Sequence, residues 1–152
     1  AQLLSSDISR KATENRYLLT EIAWDAFKHH PWIGNGAGRY MGIVAINRDY
    51  IKTFGQPLDS HGFLQKLMAE EGTLGLVTFL AFLGYVLKRI WSRLKDKTLS
   101  PDARKVVLAS LIAVSGGIIF QLFNTSYYVS KLWLPIGVAL VVMRLIEKKE
   151  IV

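Results

Sequence analysis

From Gly72 to Leu87 the chain carries no charged side chain, and Lys88 and Arg89 close the run. A second stretch, Val106 to Ser130, is uncharged throughout and exceeds the about 20 residues that a membrane span needs. A third, Leu132 to Met143, is short, but Lys131 and Arg144 can snorkel from its ends and lengthen it. A chain with three such segments need not gather a water-soluble core, because lipid solvates the apolar part. The expected fold is therefore an all-α integral membrane protein. An extracytoplasmic helical and loop segment, residues 1–60, is followed by three transmembrane helices within residues 61–152. The spans are expected at about 70–88, 106–126 and 130–146, with a basic loop over 88–105. Gly72, Gly75, Gly84, Gly116 and Gly117 either allow close helix contact or are ordinary membrane glycines.

The formal net charge is +7, yet no basic stripe is interleaved with stacking aromatics, so nucleic acid is not an expected partner. Much of the excess lies in the loop after the first span. There Lys88, Arg89, Arg93, Lys95, Lys97, Arg104 and Lys105 face only Asp96 and Asp102, a net of +5. The bias of basic residues toward the cytoplasmic side puts this loop and the C-terminal tail inside. Residues 1–60, His61 and the link from Asn124 to Lys131 then lie outside, where no ATP is available. An activated donor must arrive there on a lipid or through export. Cysteine is absent, which excludes a disulfide framework, a thiolate nucleophile and a zinc–thiolate site. The opening AQLLSSDISRKATENR has neither an initiator Met nor a signal-peptide pattern. It reads as a chain entered midway, the C-terminal part of a larger multispan protein whose N-terminal helices are expected partners.

His61 stands where the polar segment enters the first apolar run. An imidazole with an ordinary pKa of about 6.5 suits proton transfer near neutral pH, and at this boundary it can meet both water-borne and lipid-linked groups. The alternative is an interfacial histidine that only snorkels. At 100° per residue, Gln65, Met68, Gly72 and Gly75 share its stripe. Glu70 falls on the opposite side if the helix is continuous; it then binds another helix or a backbone amide, or Gly72 breaks the helix. Asp59 is a second candidate to orient His61.

Upstream, an amphipathic helix is expected over about 9–29, ended by Pro31. On its wheel Arg16 lies amid Leu19, Ile22, Ala23, Ala26 and Phe27, opposite a solvated face of Glu14, Glu21, Asp25 and Lys28. A cation facing inward wants a phosphate or carboxylate partner; otherwise it bends out to water. In PWIGNGAGRY, glycines alternate at Gly34, Gly36 and Gly38, with neither a Walker nor a Rossmann spacing. The loop is a tight turn, or its amides and Arg39 bind an anion. Residues 41–58 have no clear period and read as a loop with room for a short helix. No nucleophilic serine elbow and no close carboxylate pair are present, which disfavours a soluble hydrolase. The adjacent His29 and His30 diverge on a helix, so no metal site is expected.

The succession Arg16, Trp24, Ala26, Pro31, Gly34-x-Gly36-x-Gly38, His61-x-x-Leu64 and Glu70-x-Gly72-x-x-Gly75-Leu76 resembles the C-terminal signature region of the O-antigen ligase and O-antigen polymerase superfamily. The similarity covers about residues 9–90, and the two later spans fit the family's ending. The resemblance implies a multi-pass protein of the bacterial cytoplasmic membrane whose active face is periplasmic. It implies metal-independent glycosyl transfer without a cofactor. The donor would be an undecaprenyl-pyrophosphate-linked glycan, and the acceptor lipid A-core for a ligase or the next lipid-linked repeat unit for a polymerase. His61 matches the family's essential histidine, and Arg16 matches an arginine that contacts the donor pyrophosphate, with Arg39 a possible assistant. Gly62 departs from the asparagine that many relatives carry there, and a further essential arginine of the family lies upstream of the matched region. The competing expectation is a non-catalytic membrane module or transporter subunit, which would tolerate Arg16→Lys and His61→Gln.

Overall fold

A computed structural model describes residues 2–60, 62–124 and 130–148, and the side chains from residue 9 onward within those ranges. Among them there is no strand. The order is α1 (Gln2–His29), α2 (Tyr40–Ile46), α3 (Arg48–Phe54), α4 (Phe63–Leu94), α5 (Pro101–Leu122) and α6 (Ser130–Glu147). The chain divides into two compact units, Ala1–Val77 and Thr78–Val152.

In the first unit, α1 turns one stripe inward: Asn15, Leu19, Ile22, Ala23 and Ala26 are buried, at the three- and four-residue steps of a helix face. Tyr40 and Val44 of α2, Tyr50 of α3 and Ala69 of α4 complete that core. The stretch 41–58, expected as a loop with room for a short helix, holds two, the first entered from Tyr40. Asn47 separates them: its side chain accepts the Tyr50 amide at 2.9 Å and caps α3, and Gly55 ends α3 in the left-handed region.

The defining feature of this unit is a break in α4. Gly72 has φ 66° and ψ −164°, so the helix is interrupted there. An unbroken helix would bond the Thr73 and Leu74 amides to the Ala69 and Glu70 carbonyls. Instead those amides donate to Pro31 O at 2.8 Å and Trp32 O at 3.1 Å. The two freed carbonyls accept from the Asn35 amide at 3.0 Å and the Gly36 amide at 2.8 Å. The glycine-rich segment thus lies along the break and re-bonds both cut ends. Asn35 Nδ2 adds bonds to Ala26 O and Ala69 O, both 2.9 Å, tying α1 to α4 through one amide side chain.

In the second unit, the C-terminal part of α4 packs with α5 and α6 around Val86, Ile90, Val107, Val114, Ile136, Ala139 and Met143. Helices α4 and α5 are long and apolar enough to cross a membrane, and only 17% and 22% of their apolar windows are buried. A soluble core helix would be mostly covered; here Leu80, Leu108, Ile112 and Ile119 stand exposed. At 1.5 Å per residue the 22 residues of α5 span roughly 33 Å, enough for a hydrocarbon core of about 30 Å. The 18-residue α6 is as apolar in the middle but carries Lys131, Arg144 and Glu147. Both long helices run into the stretch expected as the basic loop, leaving 95–100 as its non-helical part. Ser100 explains the start of α5: its Oγ accepts the Ala103 amide at 3.2 Å, with Pro101 in the first turn.

The latch makes a quantitative demand on Gly34. A Cβ there would lie 2.2 Å from Glu70 O, at φ +68°, whereas one at Gly38 (φ +74°) would meet nothing within 4 Å. Gly38→Ala should show only the left-handed penalty of about 1–2 kcal/mol. Gly34→Ala should lose clearly more stability, by about 2 kcal/mol or above, because backbone cannot step aside. Detergent-solubilised unfolding of the two variants compares them; equal losses would refute the latch.

Candidate functional site

The groups with most chemical potential in the first unit surround the start of α4. Lys66 and Glu70, one helical turn apart, are both buried, at 5% and 2% exposure. Lys66 Nζ donates to Asp59 Oδ2 at 2.8 Å, while Asp59 Oδ1 accepts the Ser60 amide at 2.9 Å. Glu70 Oε1 accepts the Tyr40 amide at 3.0 Å. That amide is one of the unpaired donors at the start of α2, and Arg39 at the cap position offers no side-chain bond to it. A carboxylate from a distant helix therefore caps α2, one of the roles open to Glu70 from sequence.

Tyr40 lies fully buried above this group, and its hydroxyl donates to Leu19 O at 2.6 Å. Burial, and after it the negative field of Asp59, raises the Tyr40 pKa well above the ordinary phenol value of 10.0. Tyr50 is raised too, by burial. Its hydroxyl donates to Asn15 Oδ1 at 2.6 Å, so the one polar side chain in the inward stripe of α1 is satisfied.

The residues expected from sequence fare differently. His61 lies outside the described residues; its neighbours Ser60 and Gly62 are buried, with Ser60 Oγ donating to Gly62 O at 3.0 Å. Asp59 is engaged by Lys66, a residue that the sequence reading passed over. Gln65 is half-buried and lines a cavity of about 50 Å³ with Thr20, Ala23, Trp24 and Met68. Arg39 is exposed at the entrance to α2. Arg16 corrects an expectation: it is exposed rather than inward-facing. The buried stripe centres near Leu19, roughly 75° around the wheel from Arg16, and Asn15 occupies its polar position. The glycine loop also resolves between its two readings. The Gly36 amide is spent on Glu70 O and the Asn35 amide on Ala69 O, which makes the segment a structural clamp and leaves those two amides unavailable to an anion.

Sequence reasoning missed Lys66, Tyr40 and Asn35. For Lys66 a signal existed, since Lys66 and Glu70 stand four residues apart on one helix face, on either side of the apolar Leu67, Met68 and Ala69. For Tyr40 and Asn35 no local signal exists, because their partners lie 9 to 34 residues away. Among the described residues no cluster of histidine and carboxylate groups could hold a metal ion. No protein-family model matches the chain, and no curated protein or solved structure does so either.

The buried phenols set the response to alkali. In the unfolded chain Tyr40 loses its proton near pH 10.0, while the folded state holds that proton to higher pH. The folded state then binds more protons, so the stability contributed is intact below pH 10 and falls as pH rises through the folded value. Denaturation midpoints at pH 9 and pH 11 should show the loss. In Tyr40→Phe the alkaline loss should shrink, on top of a pH-independent cost of about 0.5–1.5 kcal/mol for the lost bond to Leu19 O, an oxygen inside α1 that keeps its helical partner. An identical pH dependence in the variant would exclude Tyr40 as its source.

Proposed function

We propose that this chain belongs to a membrane glycosyltransferase that moves a glycan from undecaprenyl pyrophosphate onto lipid A-core or a comparable acceptor, of the O-antigen ligase type. One observation carries the reading beyond sequence similarity. The two glycine motifs quoted for the resemblance, Gly34-x-Gly36 and Glu70-x-Gly72, are hydrogen-bonded to each other. Elements that are weak when taken singly thus act as one assembled part, at the point where an apolar helix begins. In this reading α4, α5 and α6 are three spans, the basic residues between α4 and α5 face the cytoplasm, and residues 1–60 are periplasmic.

The chemistry asks little covalent help from the protein. An acceptor hydroxyl oxygen attacks the anomeric carbon; a new glycosidic C–O bond forms as the bond to the pyrophosphate oxygen breaks. The hydroxyl proton goes to a base, and the lipid pyrophosphate leaves as an anion. Alignment and neutralisation of the leaving charge are the main requirements. His61 is assigned the acceptor, as base or positioner. Arg16 and Arg39 are assigned the donor pyrophosphate. Both are exposed, and among the described residues neither is held by a carboxylate, so each keeps its fork of donors for a phosphate. Asp59, Lys66 and Glu70 act as supports that hold the start of α4.

A complementation experiment tests this. A strain lacking the full-length protein receives wild type or His61→Ala at matched membrane levels, and its surface and lipid-linked glycans are resolved by size. Wild type should restore the surface polymer and His61→Ala should not. Long lipid-linked chains accumulating in the variant identify a ligase; single repeat units identify a polymerase. Full restoration by His61→Ala would sink the catalytic assignment and favour a non-catalytic membrane module.

A further inference from the structure

A second polar site lies in the other unit, at the opposite end of the apolar run of α4. Tyr85, Lys88, Arg89, Ser92 and Arg93 of α4 and Glu147 of α6 line a cavity of about 530 Å³. Glu147 organises it. Arg89 Nη2 donates to both carboxylate oxygens, at 3.0 and 2.9 Å, and Arg93 Nη2 lies 2.8 Å from Oε1. Arg89 Nη1 also reaches the Tyr85 hydroxyl at 3.5 Å. One carboxylate thus holds two guanidinium groups side by side, and it cannot accept from all their N–H donors. Lys88 adds a third cation and has no carboxylate partner among the described residues. Arg93 Nη1 also lies 3.7 Å from Asp96, so three cations meet two carboxylates, a surplus of one, around an open volume.

We infer that this cavity is a binding site for a phosphate group, supplied by the headgroup of an anionic phospholipid. Paired, pre-oriented arginines match the fork geometry of phosphate oxygens. The Ser92 hydroxyl in the lining donates to Lys88 O at 2.8 Å and so is not a donor to the ligand. The lipid source follows from position. The lining begins one turn from the end of the uncharged run at Leu87, and Tyr85 and Trp91 stand exposed beside it, as aromatic side chains do at headgroup level. The inference rests on the membrane reading of α4 but not on any glycan chemistry, and its test does not use activity.

The full-length protein is extracted from membranes, incubated with equal amounts of phosphatidylcholine and phosphatidylglycerol in detergent, and retained lipid is counted by native mass spectrometry. Wild type should retain phosphatidylglycerol preferentially. Lys88→Gln, which leaves the Glu147 clasp intact, should lower that preference by about fivefold, as expected for one cation near an anionic headgroup. Glu147→Gln should raise it, because the competing carboxylate is gone, and a gain cannot come from misfolding. A parallel arm adds inorganic phosphate. Retention that survives phosphate identifies the lipid headgroup. Displacement with phosphate bound in its place identifies the free anion at the same site. Equal retention of both lipids, or an unchanged preference in both variants, overturns the inference.

Discussion

A helix that is broken inside a packed unit must find new partners for the backbone groups it exposes, because a buried amide or carbonyl left unpaired costs about as much as a lost hydrogen bond. At Gly72 this requirement is met by four main-chain bonds to residues 31–36. Much else in the first unit follows from them. Pro31 ends α1 and presents its carbonyl; Gly34 is glycine because Glu70 O leaves no room for a Cβ. Asn35 spans α1 and α4 with one side chain, which fixes where the inward stripe of α1 meets the start of α4. The closely apposed Gly34 and Gly72 are one device: each would collide with the other's neighbours if it carried a side chain.

How much of this could be read from residues alone depends on which force shapes each segment. Hydropathy marks where lipid is, not where a helix ends. The uncharged run therefore locates the apolar part of α4, with the span expected from about residue 70, while the helix itself begins at Phe63, within the stretch whose stripe starts from His61. Likewise the basic loop shrank, because Ser100 and Pro101 carry a start signal that charge counting ignores. For the short helices α2 and α3 the sequence allows one short helix without bounds, since neither has enough residues for a period to show; α2 is held by a carboxylate from α4.

Arg16 shows a different failure. A wheel gives the angles between residues but not the direction of the core. The apolar arc of α1 is broad, running from Ile22 to Phe27, so a centre taken by eye can miss by most of a quadrant. Burial resolves it in favour of Asn15, whose short amide can bond Tyr50 within the core, where a guanidinium would have to lose its water. Exposure suits Arg16 better to a ligand that arrives from outside than to a role in holding the fold.

The break has a consequence for the polar half of α4. In a continuous helix, the orientation of residues 63–71 would be dictated by how residues 73–94 pack against α5 and α6. Interrupting the helix at Gly72 and clamping both ends to the glycine loop separates the two demands. The polar half takes its orientation from hydrogen bonds to Tyr40, Asn35 and Gly36, and the apolar half from Pro31, Trp32 and hydrophobic contact. Buried charges such as Lys66 and Glu70 are tolerable only when their partners are placed to within tenths of an ångström. A rigid polar turn, freed from the rotational preference of the span that follows, supplies that placement.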